Sequence, residues 1–164
     1  MLAPAGRRRH VMLSVMRWLA LDIGARRVGA AVCDRDERVA TPLAVLGFSG
    51  TEALAAAVAR LLAAHELDGV VVGVPVTRDG TSRGERRVAS VLAALRRALA
   101  VPVETVDERG TTAAAAAALR DAGVPPHRRR RAIDGVAAQL ILETFLERRR
   151  SRQPDGVDRS PGGC

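Results

Sequence analysis

Several residue types that mark particular classes of protein are scarce in this sequence of 164 residues. It has two cysteines, Cys33 in an apolar segment and Cys164 at the last position. They are too few for a disulfide scaffold and lack the spacing of a zinc site. No apolar run approaches the roughly 18 residues that a membrane span requires. We therefore expect a cytoplasmic protein with no membrane partner.

Aromatic and histidine side chains are also scarce. The aromatic residues are Trp18, Phe48 and Phe145, which are too few for a protein that stacks single-stranded bases on aromatic platforms. The three histidines are scattered along the chain, so a site built on histidine ligands is not expected. The sequence thus disfavours recognition-motif and OB-type modules.

Lysine is absent, so all 26 basic residues are arginine, and the net charge is +8. Most of this charge lies at the two ends, where residues 1–17 carry +4 and residues 148–164 carry +3. A strong excess of positive charge favours a nucleic-acid partner. One internal cluster, arginines 128–131, could guide a phosphate backbone or simply lie in a solvated loop.

The order of the apolar segments indicates one α/β domain with a mixed sheet, antiparallel in its first strands and parallel in its later ones, flanked by helices. Two short apolar runs predict a hairpin, and Pro42 favours an edge position for the third strand. The two later strands are β-branched runs of the kind that is buried on both faces. The predicted strands are residues 18–23, 28–33, 38–46, 70–74 and 101–106.

Capping signals place the helices between these strands. The pairs Ser49/Glu52 and Ser82/Glu85 each form a capping box, and the helices that they open are expected to end near His65 and Leu99. Thr111 or Thr112 can cap the next helix, which Gly123 stops. The last two predicted helices span residues 113–120 and about 131–149.

We expect a folded domain at residues 17–150, a basic disordered arm at 1–16 and a flexible tail at 151–164. The start only superficially resembles a signal peptide, because Arg17 interrupts its apolar run and no cleavage site follows. Met12 and Met16 stand just before the first strand, which leaves the position of the native start open.

Three acidic positions carry the candidate chemistry. Asp22 closes the first strand, Asp107 and Glu108 follow the last strand, and Asp134 lies in the last helix. Each has an ordinary explanation alone: Asp22 could bond hairpin amides, Asp107 could cap a turn, and Asp134 could be a rim residue near a helix start. Clustered carboxylates, however, repel unless a cation neutralises them. Oxygen ligands suit Mg²⁺ or Mn²⁺, and two such ions can clamp a phosphodiester.

The segment 73–81, GVPVTRDGT, leaves a strand and enters a capped helix. Such a loop could present backbone amides and Arg78 to a phosphate. The alternative is a well-formed turn, because Asp-Gly is common turn chemistry.

Four ordered motifs together resemble the signatures of the YqgF/RuvX family. The resemblance covers roughly residues 17–147. The motifs are LDIGARRVG at 21–29, VGVP at 72–75 with DGT at 79–81, DERGTT at 107–112 and IDGVAAQLIL at 133–142.

This resemblance implies a ribonuclease-H-like fold and a nuclease, either one that processes the 5′ end of pre-16S rRNA or a Holliday-junction resolvase. It implies that Asp22, Glu108 and Asp134 bind Mg²⁺ or Mn²⁺ and act in catalysis, with Glu108 preferred to Asp107. We expect arginines near the motifs to bind the nucleic acid. These are Arg26, Arg27, Arg78, Arg109, Arg128 and Arg129.

Pre-16S rRNA processing is the favoured function, and the chain is expected to be a monomer or a homodimer. Symmetric resolution of a junction requires a dimer with two related sites. One rival is a non-catalytic module that binds nucleic acid through its arginines. Another is a nucleotide-binding relative of sugar kinases, but those proteins need two such domains and this chain has the length for one.

Overall fold

The computed structural model describes residues 15–75, 82–108 and 111–152, with side chains throughout except at 111–113. Within these ranges lie five strands and four helices. The strands are β1 (Trp18–Ile23), β2 (Arg27–Cys33), β3 (Ala40–Gly47), β4 (Gly69–Pro75) and β5 (Val103–Glu108). The helices are α1 (Thr51–His65), α2 (Arg83–Ala98), α3 (Thr111–Asp121) and α4 (Pro126–Ser151). The segment 76–81 and most of the expected arm and tail lie outside the described residues.

The strands form one mixed sheet in the order β3-β2-β1-β4-β5. The pairs β1/β2 and β2/β3 are antiparallel, whereas β1/β4 and β4/β5 are parallel. This confirms the predicted hairpin and the mixed sheet. Pro42 lies in the edge strand β3. There the missing proline N–H does not interrupt the hydrogen bonds between central strands.

Strand β5 departs from its prediction in both position and burial. It begins at Val103 and continues through Asp107 and Glu108, because its ladder with β4 starts opposite Val70. Within the described chain β5 is the other edge of the sheet. Glu104 and Thr105 are therefore exposed, and the expectation of a fully buried strand is wrong.

Helices cover both faces of the sheet, and β1 shows how its residues divide between them. Leu19 and Leu21 are buried in the core on the α1/α2 side. Trp18 and Ala20 are buried on the other side, against α4. Alternation with period two predicts that Asp22 shares a face with Trp18 and Ala20. Asp22 therefore lies on the α4 side of the sheet.

The two capping boxes have different outcomes. Ser82 Oγ accepts a hydrogen bond from the Glu85 amide, and the Glu85 carboxylate accepts one from the Ser82 amide, both at 3.2 Å. The Ser49/Glu52 prediction is wrong, because Gly50 is the N-cap of α1 and no side chain caps it. With the helix starting one residue later than the motif requires, Glu52 is the second helical residue and not the third.

Helix α4 starts five residues before its predicted start. Pro126 occupies its first turn, where proline's fixed φ suits a helix and its missing N–H is not needed. Arginines 128–131 therefore lie in the first turns of a helix and not in a loop. Helix α3 spans Thr111–Asp121 and is followed by Gly123 at φ 73°, where the predicted stop occurs.

The helical spacing of apolar residues in the last helix predicts a buried stripe of Ile133, Val136, Ala137, Leu140, Ile141 and Phe145. The buried stripe of α4 is shifted from this prediction. Ala137 and Ile141 are buried as expected, whereas Ile133, Val136, Leu140 and Phe145 are only half-buried. The helix packs against both the sheet and α3, so its most buried residues line a different face. They are Gly135, Ala137, Ala138, Ile141, Leu142 and Leu146. No helix in the described ranges is long and apolar enough to cross a membrane.

Candidate active site

The close approach of α4 to the sheet positions two of the acids. Asp22 pairs with Gly29 across the β1/β2 ladder. A Cβ built on Gly29 would lie 1.9 Å from the carbonyl oxygen of Asp134, so the backbone of α4 rests directly on β2 at this point. Glycine in a strand interior commonly marks such contacts. The contact brings Asp134 beside Asp22.

Small residues extend this contact along the helix. Gly135 faces Pro42, whose Cβ lies 3.3 Å from a Cβ built on that glycine. Ala137 and Ala138 are fully buried. The sequence predicts that the small alanines near Asp134 let the last helix approach the sheet closely, and the complete burial of both confirms this. The glycines on both sides of the contact were missed, and Gly29 inside an apolar strand was the available signal.

Glu108 reaches the same region from the last residue of β5. Val106 packs on the α4 side of the sheet, and Glu108 two residues later shares that side. Its Oε2 atom is 3.0 Å from the position that a Cβ would take at Gly73, so this glycine leaves room for the carboxylate. Asp107 points to the opposite face and is exposed.

The charge of Asp22 is opposed by its surroundings. Burial, followed by repulsion from Glu108 and from Asp134, raises the pKa of Asp22 from 3.8 to about 7. The three acids thus act on one another electrostatically although they come from two strands and a helix. Such a cluster favours a bound cation.

Among the described residues, Arg27 supplies a positive charge at this cluster. Its Nε lies 2.8 Å from Oδ2 of Asp134. That oxygen is buried and accepts no hydrogen bond in the described structure, so the ion pair is its polar contact. Among the described residues, no three acidic, histidine or cysteine side chains stand close enough to hold one metal ion. The arrangement brings acids of the right chemistry into one region, where the Arg27 guanidinium pairs with Asp134.

The other arginines predicted to bind substrate have varied surroundings. Arg26 is exposed in the β1/β2 turn, and Arg128 is exposed in the first turn of α4. Arg129 is partly buried and donates from Nε to the Val124 carbonyl at 2.6 Å, which ties α4 to the end of the α3 connection. Arg78 and Arg109 lie outside the described residues.

A model of the RuvX family, described as a Holliday junction resolvase, matches residues 16–148. The chain belongs to the RuvX family. A relative from Chloroflexus aurantiacus named "Putative pre-16S rRNA nuclease" is 41% identical over 134 residues, which is 81% of this chain and 88% of the relative. A relative of the same name from Myxococcus xanthus is 39% identical over 152 residues, covering 89% of this chain and 100% of the relative.

Solved structures agree on the fold. RuvC of T. thermophilus in complex with a Holliday junction substrate has a TM-score of 0.54 and 21% identity, covering 82% of this chain and 96% of that one. The yeast mitochondrial Holliday junction resolvase Ydc2 has a TM-score of 0.50 and 11% identity, covering 80% and 78%. The expected ribonuclease-H-like fold is confirmed. Membership in the RuvX family makes the chain a nuclease, a hydrolase of phosphodiester bonds.

Proposed function

We propose that this RuvX-family chain is a divalent-metal-dependent nuclease of precursor 16S rRNA that uses Asp22, Glu108 and Asp134 as ligands of Mg²⁺ or Mn²⁺. The observation that supports this proposal is that Glu108 and Asp134 both lie near enough to Asp22 to raise its pKa, with Asp134 brought there by the contact of α4 with Gly29. Three carboxylates arranged in this way are destabilising to one another without a cation.

The residues present fit a divalent ion by their chemistry. Carboxylate oxygen is the donor that Mg²⁺ and Mn²⁺ prefer. Oδ2 of Asp134 is buried without a hydrogen bond among the described residues, and the Arg27 guanidinium beside it shows that the position accommodates a positive charge. We infer that a divalent ion held by these acids would balance part of the Asp134 charge, and that the Arg27 guanidinium would then be available to a substrate phosphate whose charge it complements.

Each acid has a task that follows from its position. Burial and the two neighbouring acids favour the protonated form of Asp22, whose pKa is about 7, and a bound cation would favour the ionised form instead. Glu108 and Asp134 approach from opposite sides of Asp22 along the sheet and helix. A divalent ion bound by them would polarise the scissile phosphate and activate a water molecule.

The substrate assignment draws on the relatives. Two of them, matched over 88% and 100% of their lengths, carry the pre-16S rRNA nuclease name. We propose that the precursor contacts the exposed guanidinium groups of Arg26 and Arg128, with further contacts from Arg78, Arg109 and Arg129. A Holliday junction is the second candidate, because the family model carries the resolvase description.

A cleavage assay separates these candidates. The labelled substrates are a precursor 16S rRNA 5′ region, plain single-stranded RNA and a four-way DNA junction, each incubated with Mg²⁺, Mn²⁺ or chelator. We expect metal-dependent cutting of the rRNA precursor, and a loss of at least about 100-fold in Asp22→Asn. The matched control is Asp121→Asn, which removes an exposed acid from the end of α3.

Each other outcome has a definite meaning. Paired symmetric nicks in the junction would replace the RNA assignment with resolution. Binding without cleavage under any metal would establish the non-catalytic module. For the third ligand, Glu108→Gln should lose activity like Asp22→Asn, whereas Asp107→Asn should stay within about threefold of the wild type, because Asp107 faces the other side of the sheet. The reverse pattern would reassign the ligand.

A further inference from the structure

A groove lies on the α4 side of the sheet, between the C-terminal end of α4 and the edge strand β5. Its volume is about 190 Å³. We call it the α4–β5 groove. Its lining residues are Glu104, Thr105, Val106, Phe145, Arg148, Arg149 and Arg152.

One wall of the groove is held rigid by a buried arginine. The Nε of Arg149 donates to both carboxylate oxygens of Glu37, at 3.2 and 3.1 Å. Its guanidinium also lies 5.2 Å from the ring centroid of Trp18, in cation–π contact. These contacts fix the last turns of α4 against the β2/β3 turn.

The other two arginines of the groove are available to a ligand. Arg148 and Arg152 are exposed. Neither guanidinium makes an ion pair or hydrogen bond within the described part of the chain. Arg148 lies in the last turns of α4 and Arg152 is its C-cap residue. Because this end of the helix is anchored, less side-chain and backbone freedom is lost when they bind an anion. Much of the positive charge at the C-terminal end of the sequence thus belongs to a folded helix.

We propose that the α4–β5 groove binds backbone phosphate of the nucleic-acid substrate at a distance from the bond that is cut. The proposal rests on the proposed nuclease function. Arginine pairs with phosphate through two parallel N–H donors, and two such groups suit adjacent phosphates of one strand. The groove and the acids share the α4 side of the sheet, so one extended substrate can reach both.

The distance between the α4–β5 groove and the acids sets how long a substrate must be to contact both. Glu104 precedes Glu108 by four residues of strand, about 13 Å. Arg148 follows Asp134 by fourteen residues of helix, about 21 Å. At about 3.4 Å per base pair along one strand, the groove lies roughly four to six base pairs from the acids.

Substituting Glu104 tests the proposal in the opposite direction, because this change should raise the affinity for nucleic acid. Its exposed carboxylate lines the groove across from the arginines and repels a phosphate there. Removing the two arginine charges should weaken binding, whereas Glu104→Gln should strengthen it by about two- to threefold. If the groove instead bound a basic partner, removing the arginine charges would strengthen the binding of that partner and Glu104→Gln would weaken it.

The experiment measures binding in chelator, where no cleavage occurs, by fluorescence anisotropy at several salt concentrations. We expect the double variant Arg148→Gln/Arg152→Gln to bind the substrate about 5- to 20-fold more weakly and to lower the salt slope by one to two. The charge-matched control is Arg60→Gln/Arg86→Gln, on exposed positions of α1 and α2 across the sheet. It should change affinity less than about twofold. Thermal unfolding should verify that both double variants fold.

Substrate length supplies the decisive comparison. On substrates trimmed to two base pairs on either side of the cut, the effect of the double variant should disappear, because the nucleic acid no longer reaches the groove. Equal effects in the test and control variants, or an effect that persists on the shortest substrate, would overturn the proposal. So would a change in oligomeric state in the test variant, which would make the groove a contact between copies.

The two proposals fail separately. The wild type could cut no substrate with metal and still show binding that depends on the two arginines and on substrate length. This result would overturn the nuclease assignment and support the groove proposal. If the wild type cuts and the test variant binds the substrate as tightly as the control variant, only the groove proposal is overturned.

Discussion

Asp22 places a carboxylate where burial and two neighbouring acids oppose its charge. Its pKa of about 7 in the folded protein compares with 3.8 for an ordinary aspartate. Between these values the folded state keeps a proton that the unfolded chain has lost. The stability of the metal-free protein should therefore fall as the pH rises from about 4 to about 7 and then level off.

Asp22→Asn should remove this dependence, because the amide is neutral at every pH. One pKa unit corresponds to about 1.4 kcal/mol, and we expect the variant to be more stable than the wild type by roughly 2–4 kcal/mol at pH 8 in chelator. The two proteins should converge near pH 4. Urea unfolding at both pH values measures this, with Asp121→Asn as the control. A wild type as stable at pH 8 as at pH 4 would contradict the repulsion argued for the site.

Arg27 is the second residue whose charge decides the behaviour of the site. Its ion pair with Asp134 occupies an oxygen that we assign to the metal. Arg27→Gln should therefore raise the affinity for Mn²⁺ by about three- to tenfold, since a competing positive charge is removed from beside the ligands. Calorimetric titration without substrate measures this apart from activity.

Arg26→Gln is the matched control for that experiment, because it removes the same charge from the exposed neighbouring position. A general effect of net charge would raise the Mn²⁺ affinity equally in both variants. Unchanged affinity in Arg27→Gln would show that the ion pair does not compete with metal.

Among whole elements, the contact between α4 and β2 is the one on which the site depends. Gly29→Ala would put a methyl group 1.9 Å from a backbone oxygen of α4, where no side chain can rotate away. We expect a loss of about 3 kcal/mol or more in unfolding free energy, the upper part of the range for overpacked sites. Gly47→Ala, at the exposed end of β3 with no atom within 4 Å, should be nearly neutral.

Urea denaturation of both variants measures this difference. If Gly29→Ala keeps wild-type stability, the helix does not rest on the strand as described. If it folds but loses Mn²⁺ affinity, α4 has shifted and taken Asp134 with it.

The two helix starts on the other face of the sheet form a similar pair. Ser82→Ala should cost about 1 kcal/mol, because it removes the side-chain acceptor of a complete capping box. Ser49→Ala should change stability by less than about 0.5 kcal/mol, because Gly50 caps α1 and Ser49 lies outside the helix. Equal losses in the two variants would show that Ser49 caps α1 in solution.

These elements also show what the sequence can and cannot predict. Strand alternation correctly places Asp22 on the α4 side, and the same period separates Glu108 from Asp107. Local patterns do not reveal which strand lies at the sheet edge, so the exposure of β5 was missed. The same is true of ion pairs between distant segments. No local feature links Arg27 to Asp134, since their pairing depends on how closely α4 rests on the sheet.

The whole molecule combines the three acids of the site in one chain. Asp22 lies near the C-terminal end of β1 and Glu108 at that of β5, and both strands run in the same direction as β4. Asp134 comes from α4, which packs across the sheet. No acid from a second copy is needed to raise the pKa of Asp22. A single chain therefore has the residues that we assign to one cut, whereas two symmetric cuts in a junction require two chains.

This leads to a prediction about the active unit. On precursor rRNA, the rate per mole of chain should be constant from about 10 nM to 10 µM enzyme, because one chain carries a full set of ligands. Light scattering over the upper part of this range gives the mass in solution, to be compared with the 17.4 kDa of one chain. As a check on the assay, with substrate in large excess over total protein, mixing wild type with excess Asp22→Asn should leave the rate unchanged if chains act singly. A specific activity that rises with concentration, or inhibition by the inactive chain, would instead make a dimer the active unit and favour the junction as the substrate.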